Sequence, residues 1–175
     1  TMGNLRRELS ALRQGMGDLV DISRQEVAIL PDAPLWVDAL EFEQTLSNYL
    51  HEEGFSDPGA ASWADDAVTR LYQGAFLEGF TVYDCQGFDE WRLTMREHYQ
   101  RLAAEGLRAL AAFELEGQET QKGLAHAERL LQLEPLFEDG HRLKMCLLAL
   151  GGQRSAALKQ YESCQQILKA ELSIQ

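Results

Sequence analysis

Apolar residues recur in the first part of the chain with two different periods. From residue 4 to 16, Leu5, Leu9, Leu12 and Met16 fall at steps of four, three and four, which is one face of a helix. Its other face carries Arg6, Arg7, Ser10, Arg13 and Gln14, and Gly17 ends it. Val20 and Ile22, then Val27 and Ile29, alternate around the polar stretch Ser23 to Glu26, predicting a small hairpin with Arg24 near its tip. Pro31 and Pro34 mark a linker. Beyond it Asp38 and Glu41 form a capping pair for a helix bearing Phe42, Leu46 and Tyr49 and closing near Gly54. Residues 55–61 enclose Asp-Pro-Gly and read as a loop. Ser62 and Asp65 then open a shorter helix with Ala67, Val68 and Leu71 that stops at Gly74, and residues 75–87, aromatic and glycine-rich without a period, read as a structured connection.

The longest periodic element follows. Phe88, Trp91, Met95, Tyr99, Leu102, Gly106, Leu110 and Phe113 average near the helical repeat, predicting one helix of about eight turns that ends at Gly117. A second stripe, Leu93, Ala103 and Leu107, implies packing on more than one side. Helices at 120–133, 136–150 and 154–171 complete the pattern, punctuated by Pro135 and by Gly151-Gly152. Between Arg101 and Leu168 the chain also repeats itself at an offset of 34 residues, with Gly117 over Gly151, Gln118 over Gly152, Gly123 over Ala157, Ala127 over Tyr161, Leu130 over Cys164 and Arg108 over Arg142. That is the period of tetratricopeptide units, whose helix pairs bury their apolar faces only by stacking. The expected fold is mainly α: tetratricopeptide-like helical hairpins, about six helices, preceded by one helix and a β-hairpin.

Charge divides the chain unevenly. Residues 1–30 are neutral, with four basic and four acidic residues, while the other 145 hold 12 basic against 24 acidic and carry the whole net charge of −12. An acidic body repels phosphates, so any DNA contact is expected from the first 30 residues or from a part outside this sequence. Cys85, Cys146 and Cys164 show no CxxC spacing and read as reduced, packed thiols, with Cys146 and Cys164 approaching across the second helix pair. His51, His98, His126 and His141 are scattered, so no metal site is expected. No apolar run has the length of a membrane span and no leader pattern is visible, which predicts a cytoplasmic protein.

Several stretches resemble the bacterial transcriptional activator domain of antibiotic regulatory proteins of the SARP type. Leu71-Tyr72-Gln73-Gly74 with Phe76-Leu77-Glu78-Gly79-Phe80 is similar to that family's "LYRGDFLEGF", and Glu90-Trp91 through Arg96-Glu97 to its "EEW...RE". Ala127 to Pro135 resembles "AERLLALDP", His141 to Met145 resembles "HRLLM", and Ala156 to Glu162 resembles "AEALRQYE". The likeness covers about residues 35 to 173 and implies a division into a partial winged helix-turn-helix at 1–32, with recognition helix 4–16 and wing 19–30, and an activator domain at 35–175. In that family an OmpR-like winged helix binds promoter DNA. The resemblance therefore makes Arg6, Arg7, Ser10 and Arg13 the candidates for the major groove and Arg24 a wing contact. The strands and two helices that precede such a recognition helix are not in this sequence, and Thr1 before Met2 predicts a non-native start. The stripe Leu5, Leu9, Leu12 and Met16 is then expected to dock on the helical domain or on a second copy.

Three functional classes separate on these features. A regulatory domain of a DNA-binding activator, working through protein contacts and self-association, accounts for the helical repeat and the basic helix together. Arg108 and Arg142 would face a groove that grips an acidic or carboxylate-bearing partner. The alternative for these two cations is local pairing with Glu105, Glu138 or Asp139. A tetratricopeptide adaptor without a DNA-binding role would need neither the front helix nor the hairpin. An enzyme is not expected: no phosphate loop, nucleophile elbow or ligand cluster is present, no cofactor is implied, and Trp36, Trp63 and Trp91 read as anchors between helices.

Overall fold

In the computed structural model, which describes residues 2–50, 55 and 57–172, the chain opens with helix α1, Met2–Met16. A turn closed by Leu19 N–H on Met16 O at 2.9 Å leads into strand β1, Val20–Ile22, which pairs antiparallel with β2, Val27–Ile29, in the register Val20 to Ile29 and Ile22 to Val27. The connecting turn lacks Asn-Gly, and a serine replaces it. Ser23 Oγ accepts the Gln25 and Glu26 N–H groups at 3.2 and 3.0 Å, so a side chain closes the hairpin. Arg13 on α1 donates from Nη2 to Ile22 O at 3.2 Å, tying helix to strand. Leu5 and Met16 are exposed, and Leu9 and Leu12 are half-buried. These elements lie in the first of two compact units, Thr1–Val37; the second is Asp38–Gln175.

The second unit is helical: α2 Asp38–Tyr49, α3 Pro58–Asp66, α4 Gln86–Glu116, α5 Thr120–Leu133, α6 Glu138–Leu150 and α7 Arg154–Leu172. With α1 this gives seven α-helices and one two-stranded sheet among the described residues. Helix α2 ends at Tyr49, before the expected closure near Gly54, which itself lies outside the described residues. The loop expected over 55–61 is instead where α3 begins. Asp57 sits in extended backbone as the N-cap, its Oδ1 accepting the Gly59 and Ala60 N–H groups at 2.7 and 3.0 Å, and Pro58 occupies the first helical position, where no N–H is needed. The same three residues that spell a turn thus spell a helix start. At the other end the helix widens into a π turn, Ala67–Leu71, with Tyr72 N–H on Ala67 O at 3.3 Å, and ends there rather than at Gly74.

Helix α4 is the spine. Its central turns pack with α2, α3 and the π turn around Phe42, Leu46, Val68, Leu107 and Leu110, all buried. Gly106 permits this approach, since a Cβ there would meet Leu46 Cδ1, Leu46 Cδ2 and Val68 Cγ1 at 3.3 Å each. Its second half joins α5 and α6 in a smaller core of Ala111, Ala127, Leu143 and Leu147. Residues of both apolar stripes, Tyr99 and Leu110 of one and Ala103 and Leu107 of the other, enter the larger core, while Leu93 stays exposed.

The 34-residue offset is reproduced bond for bond where helix pairs turn. After α4, Gln118 N–H meets Leu115 O at 3.3 Å and Glu119 N–H meets Glu114 O at 2.8 Å; after α6, Gly152 N–H meets Ala149 O at 3.0 Å and Gln153 N–H meets Leu148 O at 2.8 Å. Both are Schellman caps, and their pivots, Gln118 and Gly152, share left-handed φ of 60° and 77°. Two sequence expectations are corrected. Cys85 and Cys146 are exposed and Cys164 only half-buried, so the thiols are not packed in the core. Trp36, Trp63 and Trp91 are 68%, 59% and 47% exposed and are not buried anchors; Trp63 only lies flat on Tyr49 at 6.5 Å, and Trp91 leans on Phe76 and Phe88 at 5.6 Å each.

Candidate functional site

Between the π turn and α4 the chain runs through residues 72–85 without helix or strand. Backbone carbonyls in such a segment need donors from elsewhere. Three half-buried arginines supply them. Arg96 donates from Nε to Phe76 O at 2.7 Å and from Nη2 to Leu77 O at 2.9 Å, and Arg92, one turn earlier on the same face of α4, donates from Nη1 to Phe80 O at 2.5 Å. Arg92 is itself steered by Asp89 at 2.9 Å. From α5, Arg129 donates to Tyr72 O. The loop they hold contains Leu77 at φ 50°, a left-handed conformation that costs a side-chain-bearing residue about 1 kcal/mol or more. Its inner wall and α2 enclose a cleft of about 470 Å³ with Phe42, Tyr72, Phe76 and Tyr99 as its floor.

A second polar constellation lies behind this loop. His126 on α5 is buried and bonded on both ring nitrogens, Nδ1 to Glu114 Oε2 of α4 at 2.8 Å and Nε2 to Asp65 Oδ1 of α3 at 3.1 Å. Ionised carboxylates only accept, so this arrangement is complete when the imidazole carries both protons. Burial works against the charge, but the hydrogen bond to Glu114, the Glu114 charge and the Asp65 charge together outweigh it, and the pKa of His126 lies above its ordinary 6.5. The group pins three helices at one point. His141, buried in α6, is instead set between Pro135 O at 2.9 Å and Gln160 Nε2 of α7 at 2.6 Å.

The residues singled out in the sequence fall elsewhere. Arg108 is half-buried on α4 and makes no hydrogen bond or ion pair with the described residues. Arg142 is exposed on α6 and pairs with Asp139 at 3.1 Å. On α1, Arg6 and Ser10 are exposed, Arg7 pairs with its neighbour Glu8 at 3.2 Å, and Arg13 holds the hairpin; Arg24 is exposed in the β1–β2 turn. Sequence reasoning missed Arg92, Arg96, Arg129 and His126.

A family model described as the bacterial transcriptional activator domain matches residues 37–175, and the chain belongs to that family, one of regulatory rather than enzymatic domains. Comparison with curated proteins and with solved structures gives no match. Among the described residues no helix is long and apolar enough to cross a membrane.

Proposed function

We propose that this chain is the helical regulatory domain of a bacterial DNA-binding activator of the SARP type, with α1 and the β1–β2 hairpin as the recognition helix and wing of an OmpR-like winged helix. The helical domain acts by protein contact and self-association through tetratricopeptide-like hairpins, and the winged helix addresses promoter DNA. The observation that carries this reading is order: a basic helix followed directly by an antiparallel hairpin precedes a family match that begins at residue 37. The repeated caps after α4 and α6 support the tetratricopeptide likeness. In this reading Arg6, Arg7, Ser10 and Arg13 meet the major groove and its phosphates, Arg24 meets the backbone beside it, and Arg108 and Arg142 mark the face for an acidic partner.

The test is binding of the intact protein to duplex DNA selected from genomic fragments, measured against salt. Phosphate contacts give a slope of roughly −0.9 per neutralised charge in a log–log plot. A flat dependence, or no selected sequence, removes the DNA role and leaves a protein adaptor. Binding of an acidic partner by the Arg108→Ala, Arg142→Ala double variant tests the groove: affinity identical to wild type eliminates it.

A further inference from the structure

We propose that the open face of α7 is covered by the α7 of a second copy, the two helices running antiparallel. The inference rests on the self-association in the reading above and assigns it a surface. Helix α5 is covered on two sides. On one, His126 bonds to Glu114 of α4 and Leu130 enters the larger core. On the other, Leu124 and Ala127 share a core with Leu143 and Leu147 of α6, where Leu131 also reaches Gly140. The 34-residue repeat carries both sides onto α7. Gln160 and Cys164, the equivalents of His126 and Leu130, are half-buried, and Gln160 bonds to His141 of α6 at 2.6 Å. The equivalents on the other side are bare: Ala127 is fully buried, whereas Leu158 and Tyr161 are 66% and 50% exposed. A helix stack that ends in water carries a polar outer face. This face is instead a stripe of Leu158, Tyr161, Gln165 and Leu168 at steps of three, four and three.

Size and charge identify the occupant. Helix α6 comes close to α5 because small residues let it: a Cβ at Gly123 would lie 2.6 Å from Leu147 Cδ2, and Ala127 follows one turn later. Tyr161 stands in place of Ala127 on α7, its hydroxyl accepting from Gln165 Nε2 at 2.8 Å, so a helix seated as α6 is on α5 would run into the ring. A helix held farther off by large side chains fits, and α7 itself is such a helix. Charge favours a second copy. The body of the chain is acidic, but α7 carries Arg154, Lys159 and Lys169 against Glu162 and Glu171, so two copies meet there without net repulsion. Glu162 and Lys169 are exposed and follow Tyr161 and Leu168 on the same flank of the stripe. In an antiparallel pair that flank faces its own copy, so Glu162 of each chain meets Lys169 of the other, twice by two-fold symmetry. A parallel pair would set them against Ala157 and Cys164, which offer no charge.

The experiment is sedimentation velocity of the whole chain over a concentration series, with circular dichroism as the check on folding. Wild type is expected to pass from monomer to dimer. Leu158→Gln and Tyr161→Gln, both neutral and at exposed positions, are each expected to weaken the dimer about a hundredfold, because a two-fold contact loses the side chain twice. Glu162→Lys or Lys169→Glu alone sets like charges together and should weaken it about tenfold, whereas the two combined restore the crossed pairs and return the dimer to near wild type. A dimer unchanged in both apolar variants would leave self-association standing and overturn this face. Single charge reversals without effect, or a combined reversal that recovers nothing, would overturn the antiparallel second copy. A wild type that stays monomeric at its highest soluble concentration would remove self-association and this contact with it, leaving the stripe to a helix of another protein.

Discussion

Replacing Arg96 by alanine removes the two bonds that fasten the irregular loop to α4, those to Phe76 O at 2.7 Å and Leu77 O at 2.9 Å. Hydrogen bonds to a charged group contribute about 1.5–3 kcal/mol each. Both carbonyls belong to half-buried residues, so water replaces part of what is lost and the cost falls at the low end of the sum, about 3 kcal/mol. In a domain of this size each kcal/mol lowers Tm by roughly 2–4 °C, which gives a drop of about 6–12 °C. Arg96→Lys keeps the charge but offers one nitrogen on a flexible stem, and it is expected to recover less than half of the loss. Thermal unfolding by circular dichroism gives the magnitude. Hydrogen exchange gives the location, because the Glu78 and Phe80 amides are bonded inside the loop, to Ala75 O at 2.9 Å and Leu77 O at 3.1 Å. A Tm within about 2 °C of wild type, or undiminished protection of those two amides in Arg96→Ala, would refute the clamp.

Three other substitutions follow from the same accounting. Because the folded pKa of His126 is raised above 6.5, its stabilisation is complete below that value and is lost as pH rises through the folded pKa; urea midpoints of the wild type should fall over that window, and His126→Gln should flatten the slope, whereas an unchanged slope assigns it to another group. At the two equivalent caps, Gln118→Gly should stabilise and Gly152→Gln destabilise by about 0.5–1 kcal/mol each, since φ is positive at both and a Cβ at Gly152 meets nothing within 4 Å, leaving backbone strain as the only cost. Opposite signs in chemical denaturation are the expected result; equal signs would contradict it.

How much of this was legible in the sequence depends on what holds each element. Helices α4 to α7 lie within two residues of their predicted ends; α4, α5 and α6 each bury a stripe of constant period and stop at a glycine or proline signal. The hairpin was legible from alternation although its turn is closed by Ser23 instead of Asn-Gly. Asp57-Pro58-Gly59 was misread because an aspartate before a proline serves a turn and a helix start equally, and only the following burial of Ala60, Ala61 and Ala64 decides. The π turn has no local signature: it is set by Val68 and Ala67 packing into the α4 core. The exposed thiols and tryptophans show the limit of reading residue type as burial, because both depend on which face of a helix finds a neighbour.

The candidate site was half visible. The loop itself was marked by its resemblance to a family motif, but its arginines were not assigned to it. A signal was present: residues 75–87 lack a period, so their carbonyls need outside donors, and Arg92 and Arg96 follow at a spacing of four on one helix face. His126 gave less warning, since Asp65 and Glu114 are 61 and 12 residues away in the chain. Arg108 and Arg142 are equivalent by repeat, yet one is half-buried and the other is paired with Asp139, so equal register did not give equal surroundings.

The most direct test of the regulatory account is the salt dependence of DNA binding by the intact protein, compared with the Arg6→Ala, Arg7→Ala variant. The account predicts a steep negative slope in wild type that is shallower by roughly one to two phosphate contacts in the variant, with loss of sequence preference if either arginine reads a base. A slope and a preference identical in both proteins, or no binding by either, would contradict it.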